Sequence, residues 1–484
     1  MSRYRRWNEL LELLATRGQL QVEDAAKALN VSAATIRRDF DELASQQMLT
    51  RIRGGAVAEG VNYDLPLRYK TERHPSEKQR IGALAASMVR AGQVVGLNGG
   101  TTTTEVARAL ATRSDLGSAG PSPTLTVVTN ALNIATELAI RQHIKIVTTG
   151  GVARPQSYEL TGPLATGVLE QVTLDVAILG VDGIDAVAGA TAHHEGEASI
   201  NRLMGRQARQ VIIVADSSKV GQRAFARICT PAEIDVLVTD TGIAAEDAAK
   251  ALNVSAATIR RDIDELASQQ LLTRIRGGAV AEGVNYDLPL RYKTERHPSE
   301  KQRIGALAAS MVRTGQVAGL NGGTTTTEVA RALATRSDLG SAGPSPTLTV
   351  VTNALNIATE LAIRQHIKIV TTGGVARPQS YELTGPLATG VLEQVTLDVA
   401  ILGVDGIDAV AGATAHHEGE ASINRLMGRQ ARQVIIVADS SKVGQRAFAR
   451  ICTPAEIDVL VTDAGIAAED AARLRDAGVD VVTA

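Results

Sequence analysis

The sequence predicts an α/β protein: a small helical N-terminal unit and a doubly wound, largely parallel α/β domain, followed by a truncated copy of the first and a second copy of the second. Three observations predict it. Short apolar strands alternate with amphipathic helices over most of the chain, the pattern of helices packed on a parallel sheet. The first sixty residues show instead a helical spacing of apolar side chains that ends in a glycine pair. The pattern then recurs at an offset of 223: VSAATIRRD begins at Val31 and Val254, NGGTTTTEVARAL at Asn98 and Asn321, and ADSSKVGQRAFARICT at Ala215 and Ala438. Residues 23–243 and 246–466 differ at five positions: Phe40/Ile263, Met48/Leu271, Ala91/Thr314, Val95/Ala318 and Thr241/Ala464. Solenoid repeats run about 20–50 residues, so this is nearly a whole protein written twice.

The seam shows how the copies join. Copy one runs GIAAEDAAKALNVS where copy two runs GIAAEDAARLRDAGVDVVTA, and EDAA also stands at Glu23–Ala26. Copy two has no counterpart of residues 1–22, and copy one none of the final RLRDAGVDVVTA. The expected organisation is a first head over 1–60, a linker over 61–80 and a first α/β domain over 81–242. A truncated head over 243–283, a linker over 284–303 and a second α/β domain over 304–484 follow.

Composition narrows the function. The 484 residues are 44% hydrophobic and 21% charged with a net charge of −2, which excludes disordered and collagen-like classes. No window holds 18 uncharged apolar residues, which excludes a membrane-spanning helix. Glu9 and Glu12 interrupt the apolar run a signal peptide needs, so a soluble cytoplasmic protein is expected. Cys229 and Cys452 are too few for a disulfide framework or a Cys-rich zinc site. With so little net charge, any nucleic-acid contact must come from a local patch. Eleven aromatic residues (Trp 1, Tyr 7, Phe 3) argue against a single-strand stacking platform.

In the first unit, Trp7, Leu10, Leu11 and Leu14 form the stripe of a first helix that ends at Gly18. A second helix is expected at about Val22–Leu29, with a turn at Asn30-Val31. Ser32 caps a third, SAATIRRDFDELASQQ, whose buried face is Ile36, Phe40 and Leu43. Ala34 and Arg38 then point away from the core, flanked by Thr35 and Arg37. MLTRIRGGAVA follows as a two-stranded wing. A third helix with exposed Thr and Arg near its N-terminus suits the DNA major groove, so this reads as a winged helix-turn-helix. The DNA-contacting candidates are Ser32, Thr35, Arg37, Arg38, Arg51 and Arg53, with Thr258, Arg260, Arg261, Arg274 and Arg276 as a weaker second set. Guanidinium groups pair bidentately with guanine or phosphate. Burying a Trp or Leu side chain stabilises by roughly 1.5–3 kcal/mol, so a second head without its first helix is expected to be loose.

The segment from Gly18 to Ala56, with Thr35-Ile36-Arg37-Arg38-Asp39-Phe40 and a closing RIRGGA, resembles the DNA-binding domain of the DeoR family of bacterial transcriptional regulators. Phe40 stands where the family usually has Leu, and Arg53 where His is common.

Beyond the linker, strand and helix alternate: VVGLN, TTTTEVARALA, TLTVVTN, ALNIATELAI, KIVTTGG, GPLATGVLEQV, LDVAILGVDGI, EASINRLMGRQAR, VIIVAD and DVLVTD. Ligands of such sheets bind beyond the carboxyl ends of the strands. There Asn98, Gly100, Thr101 and Thr102 open directly into a helix, where free backbone N–H groups attract an anion. Asn130, Gly150, Gly151, Asp182, Glu197 and Lys219 lie at successive strand ends, Lys219 being a compact cation for a phosphate. The repeat adds Asn321, Gly323, Thr324, Thr325, Asn353, Gly373, Gly374, Asp405, Glu420 and Lys442. No GK[ST] follows the glycines and no GxGxxG is present, which excludes those nucleotide motifs. His193-His194 lack the spaced ligands of a metal site, so neither metal nor cofactor is expected.

The stretches NGGTT, VVTN, TTGG, LGVDGI, GEA and ADSSK resemble the DeoR family's C-terminal sensor. The resemblance implies a ribose-5-phosphate isomerase-like fold and a phosphorylated sugar as effector; Asn98 stands where the family usually has Asp. The reading is therefore a DNA-binding regulator, most simply a repressor of a carbohydrate uptake or catabolic operon released by a phosphosugar. Its partners would be a double-stranded operator, the effector and a homo-oligomer or internal pseudo-dimer. Two alternatives stand beside it. Asp182, Glu197 and Lys219 would serve an isomerase- or deaminase-like enzyme as acid, base and stabiliser. The other is a sensor whose DNA binding the duplication has impaired.

Overall fold

The computed structural model describes residues 6–7, 9–10, 13–14, 19–45, 49–57, 74–116, 123–240, 298–339 and 346–484. The whole of the second head, with Thr258, Arg260, Arg261, Arg274 and Arg276, lies outside the described residues, as does Leu11.

The first head folds as its spacing predicts. Helical residues 6–7, 9–10 and 13–14 turn Trp7, Leu10 and Leu14 inward, against Val22, Ala25 and Leu29 of the helix Val22–Leu29 and against Ile36, Phe40 and Leu43 of Ala33–Ser45. Asn30 turns the chain between the last two at φ +51°, a left-handed conformation that Asn tolerates. The wing strands Thr50–Ile52 and Gly55–Val57 pair antiparallel, and Gln19–Gln21 adds a third strand that the sequence pattern does not reveal.

Each α/β domain is a parallel sheet flanked by helices. In the first, the strands lie in the order Val236–Val238, Ala208–Val214, Leu174–Gly180, Val94–Leu97, Leu125–Thr129 and Ile144–Thr148, all parallel. The second repeats this and adds an outer parallel strand, Asp480–Thr483, beside Val459–Thr462. The helix Ala468–Asp476 precedes that strand and buries Ala471 and Leu474. A small antiparallel sheet, Gly183–Asp185, Gly189–Ala192 and Ala226–Cys229, stands beside the first large sheet. The helix Pro75–Ser87 begins inside the segment read as a linker and crosses the expected boundary at 80/81; Pro298–Ser310 does the same at 303/304. Its few polar residues after Pro75 resemble connector composition, but Ile81, Ala85 and Ala86 are buried.

The segment after KIVTTGG is a hairpin, and it crosses between copies. Gly151–Ala153 leaves its own sheet and pairs antiparallel with Ile367–Thr371 of copy two, Val152 opposite Val370. In return Gly374–Ala376 pairs with Ile144–Thr148, Val375 opposite Val147. The two crossing segments meet backbone to backbone at Gly150 and Gly373. A Cβ on Gly150 would lie 2.9 Å from the Gly373 nitrogen, and one on Gly373 would lie 2.9 Å from the Gly150 nitrogen. Nearby, the helices Leu132–Leu138 and Leu355–Leu361 face each other, with the Thr136 and Thr359 hydroxyls 3.0 Å apart. One apolar core runs through both copies, from Ile81 and Leu132 to Leu355 and Val461.

Gly150 has φ +69° and Gly373 φ +70°. A left-handed conformation costs a non-glycine residue roughly 1–2 kcal/mol even where there is room. Gly150→Ala or Gly373→Ala is therefore expected to destabilise the chain by more than about 2 kcal/mol, because backbone must also move. A thermal melt of each variant checks this, and an unchanged midpoint would show the crossing to be dispensable.

Candidate functional site

In the head, the recognition helix is fixed from behind and open in front. Ser32 accepts the Thr35 backbone N–H at 3.1 Å and shares a 2.9 Å hydroxyl contact with the Thr35 side chain, so both candidates begin as helix caps. Arg37 and Arg38 are exposed, and Arg37 makes only a 3.5 Å ion pair with Glu23, both side chains more than half exposed. Arg53 is exposed at the wing turn. Arg51 differs from expectation: it pairs with Asp41 at 3.0 Å and lies over the Phe40 ring at 5.6 Å, so it braces the wing against the helix. Its spacing from Arg53 suggested one shared face, but Arg53 already sits in the turn.

Behind the helix is a residue the sequence reading passed over. Asp39, 3% exposed, accepts hydrogen bonds from the Arg6 guanidinium and, at 2.8 Å, from the Trp7 indole N–H. This buried carboxylate ties the first helix to the recognition helix, and it raises the pKa of Arg6 by hydrogen bonding to it. An Asp directly after two arginines on a helix reads as a surface charge; only the pairing with residues over thirty positions away reveals it.

The second candidate site is a cavity at the carboxyl ends of the first sheet. Among its lining residues are Asn98, Gly100, Thr101, Thr102, Asp182, Glu197 and Lys219, together with Lys78, Glu159, Asn201 and Asp216. Copy two brings Asn321, Gly323, Thr324, Thr325, Asp405, Glu420 and Lys442 together in the same way. The helix Thr101–Thr112 starts at the cavity with its first-turn N–H groups, as expected of an anion seat. Asn98 is occupied otherwise: its amide donates to the Gly180 carbonyl at 2.9 Å and accepts the Gly180 N–H at 2.8 Å. It stitches two neighbouring strand ends together, and only an amide can do both.

Three expected residue pairs lie elsewhere. Asn130 and Asn353 are fully buried and hold Glu159 and Glu382, each at 3.0 Å. Gly150, Gly151, Gly373 and Gly374 form the crossing between copies, where their lack of a side chain serves close backbone contact.

The cavity's charges are arranged in depth. Lys78, 5% exposed, comes from the helix Pro75–Ser87. Glu197, at the start of the helix Glu195–Arg206, is held by the Arg154 guanidinium and by the Ser157 hydroxyl at 2.5 Å. Glu159 lies against Gly99, where a Cβ would come within 2.3 Å of its side chain. Burial, and then the nearby Glu197, push the Glu159 carboxyl well above the usual carboxylate range. Burial, and then the nearby Glu420, push Glu382 from 4.5 up to about 8. Both shifts favour the uncharged acid, which lessens the cavity's repulsion of an anion. Lys78, Glu159 and Asn201 were missed because the contacts that collect them span the whole domain. Among the described residues no group of three or more His, Cys, Asp or Glu is placed to hold a metal, and no helix is long and apolar enough to cross a membrane.

Comparison with known proteins follows this geometry. The family model described as the DeoR C terminal sensor domain matches residues 73–241 and 296–464, and the DeoR-like helix-turn-helix domain matches 6–59 and 234–282. The glycerol-3-phosphate regulon repressor of Escherichia coli (strain K12) is 30% identical over 240 residues, covering 50% of this chain and 92% of the relative. The HTH-type transcriptional repressor GlcR of Bacillus subtilis (strain 168) is 34% identical over 234 residues, covering 48% and 86%. Among solved structures, a ribose 5-phosphate isomerase A from Methanocaldococcus jannaschii is 20% identical and covers 30% of this chain and 54% of its own, with a TM-score of 0.23.

Two outcomes test this geometry. Removing Asp39 leaves Arg6 without its carboxylate, so Asp39→Ala is expected to cost the head about 3 kcal/mol and abolish DNA binding while the α/β domains still melt as before. A head-specific probe such as Trp7 fluorescence checks it. The acids Glu159 and Glu382 stay protonated in the folded chain after the unfolded chain has released its protons. Their stabilising contribution is complete below 4.5 and is lost as pH rises toward about 8. Glu159→Gln with Glu382→Gln is expected to flatten that fall, read from urea unfolding across the window.

Proposed function

The chain belongs to the DeoR family of transcriptional regulators, and from that premise we propose that it represses a carbohydrate uptake or catabolic operon and leaves its operator when a phosphorylated sugar fills the sensor cavities. It is a DNA-binding regulator and not an enzyme: its relatives are named for operon and regulon control, and its N-terminal unit is a DeoR-like head. The observation that carries the effector reading is the cavity itself, with a buried lysine, a second lysine after ADSS and a helix N-terminus facing one space. Lys78, Lys219 and the first turn of Thr101–Thr112 suit a phosphate, while Asp182, Glu197 and Asn201 suit hydroxyls. The E. coli relative is named for a glycerol-3-phosphate regulon, which agrees with a small phosphorylated polyol or sugar.

The oligomeric reading is an internal pseudo-dimer of sensors carrying one operative reading head. The exchanged hairpins support the first half. Support for the second comes from the Asp39 anchor. Asp262 repeats Asp39, but the positions equivalent to Arg6 and Trp7 are Cys229 and Thr230, which belong to the first sensor. The second helix-turn-helix match even begins at 234, ahead of Val236–Val238, which is a strand of the first sensor's sheet.

Binding of the purified chain to its own upstream DNA, with and without a panel of sugar phosphates, tests the proposal. Specific binding released by one phosphosugar is expected; binding that no phosphosugar relieves would overturn the effector reading. Arg38→Ala is expected to abolish specific binding and Arg261→Ala to leave it within about twofold. Equal losses would show that both heads read DNA.

A further inference from the structure

Two amides in the cavities are not explained by an anion. Asn201 and its repeat Asn424 are each 2% exposed and line the first and second cavity. In both, the side-chain Oδ1 is buried and has no hydrogen-bond partner. They stand on the helices Glu195–Arg206 and Glu418–Arg429, four residues after Glu197 and Glu420, so each shares a helix face with the acid at the cavity. Asn424 is hydrogen-bonded to the Glu382 carboxyl, which employs one end of the amide and leaves its oxygen as an open acceptor. A buried acceptor without a donor destabilises the folded chain unless something supplies a proton to share.

The missing donor has a definable chemistry. A phosphate dianion carries no proton to give, so the phosphate end of a ligand cannot satisfy this oxygen. An ammonium could, but Glu197, the acid on the same helix face, is already held by Arg154. An uncharged hydroxyl fits both conditions. A site that buries an acceptor for a hydroxyl also rejects the analogue lacking it, because the acceptor is then left unpaired.

We propose that Asn201 and Asn424 are specificity-determining residues of the two sensors, each accepting a hydrogen bond from one hydroxyl on the carbon skeleton of the phosphorylated effector. The inference rests on the effector reading given above. It makes the sensor a reader of hydroxyl pattern as well as of phosphate, and it separates the two tasks: the lysines and the helix N-terminus hold the anion, the amide selects the skeleton.

The experiment uses the full chain and calorimetric titration. Ribose 5-phosphate, glucose 6-phosphate, galactose 6-phosphate, fructose 1-phosphate and glycerol 3-phosphate are titrated first, with inorganic phosphate as the skeleton-free probe. The monodeoxy analogues of the tightest ligand follow, then its amino-deoxy analogues. One monodeoxy analogue is expected to bind roughly tenfold or more weakly than the parent. In Asn201→Leu with Asn424→Leu, parent and that analogue should bind alike, while inorganic phosphate binds as to the unaltered chain. If every monodeoxy analogue matches the parent, or the double variant keeps the preference, the inference fails although the effector reading stands. An amino-deoxy analogue that binds more tightly than the parent overturns the choice of a hydroxyl. If no phosphosugar binds at all, the effector reading fails and takes this inference with it. The analogue series on the unaltered chain decides the matter even if neither the Leu variant nor Asn201→Ser with Asn424→Ser folds.

Discussion

The architecture of the sensor pair depends on one steric fact: two backbone segments pass each other at Gly150 and Gly373 at a separation that no Cβ could share. Because the segments pass there, each hairpin leaves its own sheet and completes the other. Its return strand then comes home. Leu160 donates to the Asn130 carbonyl at 2.6 Å, and Leu132 donates to the Tyr158 carbonyl at 3.0 Å. Between departure and return lie Ser157 and Glu159, which wall one side of the cavity, and Arg154, which holds Glu197. Each cavity is thus built partly on a strand anchored in the opposite copy. The two sensors are therefore not beads on a string, and a shift in one hairpin is felt in both sheets.

The same wall explains how an acidic-looking cavity can receive an anion. Counted by residue type, Asp182, Glu197, Glu159 and Asp216 oppose Lys78 and Lys219. Of these, Glu159 is shifted toward its neutral form, Glu197 is paired with Arg154, Asp182 accepts the His193 N–H at 3.0 Å, and Asp216 accepts the Ser218 N–H at 3.2 Å at the start of the turn that carries Lys219. Each acid thus has a structural partner, and the helix N-terminus adds its N–H groups to the same space. Asn98 has a comparable structural duty. An Asp in its place could accept the Gly180 N–H but could not donate to the Gly180 carbonyl. The departure from the family's usual residue therefore has a local reason in the strand pairing before any ligand is considered.

Elements with a short period were legible in the sequence, and contacts that depend on distant pairing were not. The helix Val22–Leu29, its Asn30 turn and the Ser32 cap followed from apolar spacing and cap chemistry alone. So did the alternating strands of the sheet. Gly150-Gly151 were read as a ligand approach because a glycine pair at a strand end signals close approach without naming what approaches. Here it is another stretch of backbone. Arg51 was read as a DNA contact; nothing local records that Phe40 and Asp41 lie against it. Lys78 hid in a segment of connector-like composition, and Asn201 in an ordinary amphipathic helix; each acquires meaning only when the sheet brings the cavity together.

The duplication cuts across this logic at one place. The repeated segment begins at residue 23, so it carries the recognition helix, the wing and the buried Asp, but not Arg6 and Trp7, which hold that Asp in the first head. A carboxylate inside a small domain is tolerable when a guanidinium and an indole N–H meet it, and costly when neither does. The sensor, by contrast, was copied with every residue its cavity uses, and copy two even gained the closing strand that copy one lacks. What duplicated faithfully was the unit whose contacts are internal to the repeat. The first reading head depends on a helix encoded upstream of the repeat's first residue, and the proposal of one operative head rests on that asymmetry.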